Sequence, residues 1–276
     1  MNFERIAVIG SGSMGSAIIA GLLRSGVDAS LISASTKSRS SADRLTDEFG
    51  ITTFALETAP DANALAANGA DIVLIAVKPA YVLESLRELS SHLREGALVI
   101  SVAAGVTIAA MQAELPESVA VVRSMPNTPA IVSRAVTGVS AGSRTTEAQL
   151  KLATELFETV GRVLVLDESQ IDQLSTVSGS GPAYVFYFIE QFTKAAIDMG
   201  FSASDARMLV EETFAGASEL LAASGKLPEE LRAQVTSPNG TTMRAVAVFE
   251  DANLHELFAN ATAAALARAK EIAAGK

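Results

Sequence analysis

The sequence predicts an α/β fold, a doubly wound sheet followed by an all-α half, and three observations carry that prediction. Short apolar runs alternate with helical stretches from residue 6 to about residue 166, the pattern of a parallel sheet covered on both faces. The first run, Ile6-Ala-Val-Ile9, leads straight into Gly10-Ser-Gly12-Ser-Met-Gly15 and then an apolar helix. After Asp167-Glu-Ser169 no convincing strand follows, and alanine-rich helical periodicity takes over. The two expected domains are therefore residues 1–167, a Rossmann-type dinucleotide-binding domain, and residues 168–276, all helical.

The glycine spacing is what gives the first element its meaning. Gly10 permits a tight turn, Gly12 lets backbone approach a pyrophosphate, and Gly15 lets the helix pack on the strand, with the helix N-terminus facing the phosphates. A second strand is expected over 30–34. Its end reads Ser35-Thr36-Lys37-Ser38-Arg39, hydroxyls and two cations, without the Asp or Glu that would bind a ribose 2′-hydroxyl. That end suits a 2′-phosphate and leaves no carboxylate there to repel it, favouring NADP(H) over NAD(H); Lys37 and Arg39 taken singly also fit a solvated loop.

A helix over 41–49 ended by Gly50, a strand over 51–54 and a helix over 61–67 follow. The continuous apolar run 71–77, stopped by Lys78-Pro79, reads as a buried parallel strand. A helix over 82–93 and a strand over 98–102 lead to Ala103-Ala104-Gly105, whose small side chains let a flat ring approach the backbone, though they also suit a plain turn. Next come a helix over 107–115 ended by Pro116, and a strand over 119–122 running into a rigid polar loop, Met125-Pro-Asn-Thr-Pro129. Strand 135–141, helix 147–160 and strand 162–166 complete a sheet expected to be parallel. The helical half is expected as 169–199, interrupted around Gly179-Ser-Gly-Pro182, then 203–223, 229–235, 241–249 and 254–274. One side of the last helix carries Leu254, Leu257, Phe258, Ala261, Ala265 and Leu266, more apolar face than a small domain covers alone, which points to a homodimer.

Composition narrows the chemistry. With no cysteine there is no thiolate nucleophile or cysteine-ligated metal, and two histidines far apart, His92 and His255, offer neither a metal cluster nor a Ser-His-Asp triad. A net charge of −10 speaks against a nucleic-acid surface. No apolar run reaches membrane-spanning length and no signal peptide is visible, so neither membrane nor nucleic acid is expected as a partner, and the expected location is cytoplasmic. In the helical half, Ser237-Pro-Asn-Gly-Thr241-Thr242 opens a helix with backbone N–H groups free to hold a carboxylate, and on these residues alone it reads equally well as an ordinary capped helix start. The glycines and serines of Ser178-Gly-Ser180-Gly-Pro-Ala-Tyr184 suggest a close approach to backbone, or merely a kink.

Six segments in order resemble the pyrroline-5-carboxylate reductase family: Ile9–Gly15, Ala76-Val-Lys-Pro79, Ser101–Gly105, Met125–Pro129, Ser178–Phe186 and Thr236–Thr242. The resemblance implies an enzyme that uses NADPH, with NADH as a possible weaker donor, to reduce the C=N bond of 1-pyrroline-5-carboxylate to L-proline, the last step of proline biosynthesis. It implies that Gly10, Ser11, Gly12, Ser13 and Met14 form the pyrophosphate loop, Ser35 and Thr36 the 2′-phosphate region, and Asn63 an adenosine-side contact. Ala76, Val77, Lys78 and Pro79 would run along the cofactor, with Ala103 and Ala104 walling the nicotinamide. Gly240, Thr241 and Thr242 would grip the substrate carboxylate, with Ser180 also on the substrate side and the Thr242 hydroxyl near the ring nitrogen as the catalytic group. No metal is implied. Helical domains would interlock as a homodimer, assembling further, for example to a decamer. One departure is Asn239, where the family commonly has Gly; Asn tolerates positive φ, so the turn should survive. A related dehydrogenase would need a lysine on the interdomain helix, and Lys194 is expected to form a surface pair with Asp198 instead. A non-catalytic NADP(H) sensor would keep the glycine loop and have no need of the Thr236–Thr242 turn.

Overall fold

The structure, a computed structural model, describes residues 3–273. Ala274, the expected end of the last helix, and the chain ends that bound the expected domains lie outside them. The chain forms two compact units: one runs to Ser180 and takes in the chain again from Ala265, and the other is Gly181–Ala264.

The first unit begins with β1 (Ile6–Ile9), α1 (Ser13–Arg24), β2 (Ile32–Thr36), α2 (Arg39–Phe49), β3 (Thr52–Ala55), α3 (Ala62–Ala67) and β4 (Ile72–Ile75). It continues with α4 (Val82–Leu89), β5 (Leu98–Ser101), α5 (Ile108–Ala113), β6 (Ala120–Met125), β7 (Ala135–Ala141), α6 (Glu147–Glu158), β8 (Gly161–Val165) and α7 (Glu168–Leu174). All eight strands form one sheet in the order β3-β2-β1-β4-β5-β6-β7-β8. Strand order reverses at β1, so the crevice that receives ligands in such sheets opens between the carboxyl ends of β1 and β4. Register places Ile9 beside Ser35 and Ile75, and Ile75 beside Ser101, so the four strand ends that position the site lie in one row.

Side-chain alternation divides the core between the two faces of the sheet. Ile6 and Val8 pack with Ile18, Ile19 and Leu22 of α1 on one face, whereas Ala7 and Ile9 pack with Val82 and Leu86 of α4 and Met111 of α5 on the other. Strands with no wet face must be apolar throughout, which is why β1 and β4 read as continuous runs. α6 starts at a reciprocal capping box, in which Gln149 N donates to Thr146 Oγ1 at 3.2 Å and Thr146 N to Gln149 Oε1 at 2.9 Å.

Three differences from the sequence expectation have identifiable causes. The sheet is not wholly parallel: β7 runs antiparallel to β6, because the link through 126–134 is too short to carry a crossover. β2 begins and ends two residues later than expected, since Asp28 accepts a hydrogen bond from Ser30 N at 2.8 Å and caps a 3₁₀ turn at Ala29–Leu31. That shift brings Ser35 and Thr36 into the strand itself. The first unit also extends past the expected boundary at 167/168, because Arg123 of β6 pairs with Glu168 and Asp172 and ties α7 to the sheet.

The second unit holds α8 (Gly181–Asp198), α9 (Ala203–Ser224), α10 (Pro228–Gln234), α11 (Thr241–Asp251) and the first part of α12 (Leu254–Ala273). Its core is small, with Ala196, Ala206 and Val210 backed by Ile189 and Phe214. Phe186 (66% exposed), Phe249 (58%) and Leu257 (57%) are left outside it, a large exposed apolar surface for a helical unit of this size. Among the described residues no helix is long and apolar enough to cross a membrane.

Candidate functional site

The glycine turn is built by its own surroundings. Gly10 has φ +81°, and a Cβ there would lie 2.4 Å from Val77 Cγ1, so both the backbone and its neighbour on the β4 side exclude a side chain. Gly12 N donates to Gly10 O at 2.8 Å, and Gly10 N and Ser11 N both donate to the Ser35 carbonyl at 3.1 and 3.0 Å. At Gly15 a Cβ would meet Val8 Cγ1 at 3.2 Å, the close helix–strand packing that the spacing predicts. Gly12 differs from both, since no chain atom comes within 4 Å of a Cβ placed there. Nothing in the protein demands glycine at that position; it opens a space in front of α1, whose N-terminus has no side-chain cap and no acid in its first turn. Uncapped N–H groups, a favourable dipole end and an open approach fit a dinucleotide pyrophosphate.

Behind this turn lies a polar support that sequence reading assigned to the ligand. Ser35 Oγ donates to Asn63 Oδ1 at 2.7 Å and lies 3.3 Å from Gly10 N, and both residues are buried. Thr36, also buried, donates through Oγ1 to Ser38 O at 2.8 Å. Lys37 and Arg39, just past this end of β2, are exposed. One group here escaped sequence reading, which found no carboxylate: Glu57, arriving from the end of β3, accepts Arg39 N at 2.9 Å through Oε2.

Across the crevice, Ala76 N donates to Ile9 O at 2.8 Å and Val102 N to Ile75 O at 3.1 Å, which carries Ala76–Pro79 and Ala103–Ala104 off adjacent strand ends. Ala103 is buried and Ala104 exposed. Beside them a cavity of about 360 Å³ is lined by Ala104, Gly105, Met125, Asp172, Gly179 and Ser180 among others, a size that takes a small ring system. It brings together Ala104, expected at the nicotinamide, and Ser180, expected on the substrate side.

The far wall of that cavity is held in an unusual conformation. Ser175–Gly179 is a π-helical turn closed by Ser180 N donating to Ser175 O at 2.8 Å, a form that recurs at functional sites. Asn127 clamps it: Nδ2 donates to Ser178 O and Oδ1 accepts from Val136 N, each at 2.9 Å. Arg123, whose side chain is only 4% exposed, pairs with Asp172 at 2.5 Å and Glu168 at 3.4 Å, and Glu168 also accepts Ile108 N at 2.6 Å. Sequence reading missed this network. Its signal was a lone arginine inside an apolar strand and two acids four residues apart on α7.

In the second unit, Asn239 has φ +59°, so the turn does adopt the positive φ that Asn tolerates. Gly240 N donates to Ser237 O at 3.0 Å, and Gly240 stands at the cap of α11 with no side-chain cap bond and no acid in the first turn. Thr241 and Thr242 occupy the first two positions of α11 and are exposed. Lys194 pairs with Glu190 at 2.6 Å, not with Asp198, and that hydrogen bond raises its pKa, keeping it a cation unsuited to base chemistry.

A doubly wound sheet with an open, uncapped glycine turn at its switch point, and a cavity at the adjoining strand ends, defines an NAD(P)-dependent oxidoreductase. Residues 168–272 match the family described as pyrroline-5-carboxylate reductase dimerisation, and residues 5–105 match NADP oxidoreductase, coenzyme F420-dependent. A pyrroline-5-carboxylate reductase of Pseudomonas aeruginosa is 38% identical over 274 residues, covering 99% of this chain and 98% of that protein. The solved structure of a pyrroline-5-carboxylate reductase from Coxiella burnetii superposes with a TM-score of 0.91 at 37% identity, covering 98% of each chain. That of Plasmodium falciparum pyrroline carboxylate reductase with NADP bound shares the fold with a TM-score of 0.83 at 24% identity, covering 99% of this chain and all of that one. The chain belongs to the pyrroline-5-carboxylate reductase family.

Proposed function

We propose that the protein transfers hydride from NADPH, with NADH as a weaker donor, to the C=N bond of 1-pyrroline-5-carboxylate, giving L-proline. The observation that carries this reading is the cavity that joins Ala104, just past the end of β5, to Ser180 at the close of the π turn, in the same unit as the open glycine turn. The bound nicotinamide supplies a hydride; the chain supplies position. The Gly10–Gly12 turn admits the pyrophosphate to the N–H groups of Ser13 and Met14, the segment Ala76–Pro79 runs along the cofactor, and Ala103 and Ala104 wall the ring. Ser35 and Asn63 act through the turn they brace as well as through the adenosine end.

The substrate carboxylate is held at the turn that Gly240 closes, by the N–H groups of Thr241 and Thr242, and the Thr242 hydroxyl orients the ring nitrogen or donates to it. Residues 1–167 serve as the cofactor part and 168–276 as the substrate-binding and dimerisation part. Reduction of a protonated imine needs no strong acid. Fixing donor and acceptor in reactive geometry supplies roughly 7–11 kcal/mol of the barrier reduction.

The exposed apolar helices of the second unit support a homodimer, which can pair further towards a decamer, in a cytoplasmic enzyme of proline biosynthesis. Oxidation of NADPH on addition of 1-pyrroline-5-carboxylate tests the activity. Thr242→Ala tests the role of the hydroxyl, and full kcat/KM in that variant would remove it from the chemistry. A stable monomer by light scattering at micromolar concentration would remove the dimer.

A further inference from the structure

We infer that Glu57 weakens the site's discrimination in favour of a dinucleotide carrying a 2′-phosphate, acting from β3 where a carboxylate on β2 would act in an NAD site. The inference rests on reading the end of β2 as the ribose end of the cofactor cradle.

Glu57 is fixed at that end by backbone. Leu56 N donates to Thr36 O at 2.9 Å and Glu57 N to Lys37 O at 3.1 Å, so the chain leaving β3 follows the chain leaving β2 past the last strand residue. The Glu57 carboxylate then accepts Arg39 N, the first N–H of α2, at 2.9 Å. α2 is an 11-residue helix with no acid in its own first turn, so the anion its N-terminus favours comes from another strand. The Arg39 guanidinium lies 3.6 Å from Asp43. This end of the cradle thus carries two cations, Lys37 and Arg39, and two carboxylates, Glu57 and Asp43, whose formal charges sum to zero.

A 2′-phosphate brings nearly two negative charges to this place. It must displace Glu57 from the N–H of Arg39 or settle beside it, and either costs affinity. A 2′-hydroxyl meets no such cost, because it can donate to a carboxylate. The cations attract the phosphate while Glu57 opposes it, leaving a narrower preference between the two dinucleotides than Lys37 and Arg39 alone would set.

The test is direct binding of NADPH and of NADH to the full chain by isothermal titration calorimetry, for the wild type and Glu57→Gln. Gln keeps an acceptor for Arg39 N, so only the charge is removed, and an unchanged melting temperature verifies that the exposed site has not disturbed the fold. The expected result is an NADPH Kd lower by about three- to tenfold with the NADH Kd within about twofold of the wild type. A ratio of the two constants unchanged within about twofold, with both dinucleotides bound, overturns the role of Glu57 and leaves the cradle standing. Failure of the wild type to bind either dinucleotide overturns the cradle and the inference together.

Discussion

Two turns of this protein open helices with free N–H groups, and they are built in opposite ways. The Gly10–Gly15 turn is enclosed: Val77 fills the space beside Gly10, Ser35 and Asn63 brace it from behind, and Val8 meets Gly15. The Ser237–Thr242 turn is held within its own unit mainly by Asn239 at φ +59° and the bond from Gly240 N to Ser237 O, with Thr241 and Thr242 exposed. An anion site preorganised by its own sheet binds a cofactor without help. A site on an exposed helix start needs further surface to shield its ligand from water, and the same unit leaves Phe186, Phe249 and Leu257 exposed.

The contrast breaks most severely at Gly10→Val, which forces a side chain into Val77 at a positive φ; calorimetry should find no measurable NADPH binding. Arg123→Ala comes next in size. It leaves Glu168 and Asp172 without their buried cation and should cost about 2–4 kcal/mol of stability, read as a lower midpoint in urea, with loss of activity as the π turn loosens. Gly12→Ala sharpens the contrast, because no chain atom meets the added methyl. The melting temperature should hold while NADPH affinity falls about tenfold, by roughly 1.4 kcal/mol, and unchanged affinity would mean that no ligand approaches there. The smallest effect is expected at Asn239. Asn239→Ala should cost about 1 kcal/mol and raise the KM for the imine while leaving the NADPH Kd alone, and Asn239→Gly should restore the wild-type KM.

What sequence could reveal follows the distances over which each feature is determined. Strand–helix alternation, the glycine spacing and the positive φ of Asn239 are local, and the chain alone shows them. The direction of β7 depends on a link whose length was visible but whose strand partner was not. Glu57 reaches Arg39 across eighteen positions, Arg123 reaches Glu168 across forty-five, and no periodicity encodes such pairings. Ser35 and Thr36 were expected to meet the ligand, and a β2 frame two residues off hid that both are buried in the strand, with their hydroxyls engaged inside the protein. Lys194 had an acid on either side at helical spacing, Glu190 and Asp198, and only coordinates show which one it meets.

The measurement that bears most directly on the whole is NADPH oxidation followed at 340 nm with and without 1-pyrroline-5-carboxylate, with proline quantified at the end. Imine-dependent oxidation matched mole for mole by L-proline is the expected result. Saturable NADPH binding with no imine-dependent turnover would contradict it, leaving a protein that holds the dinucleotide without using it.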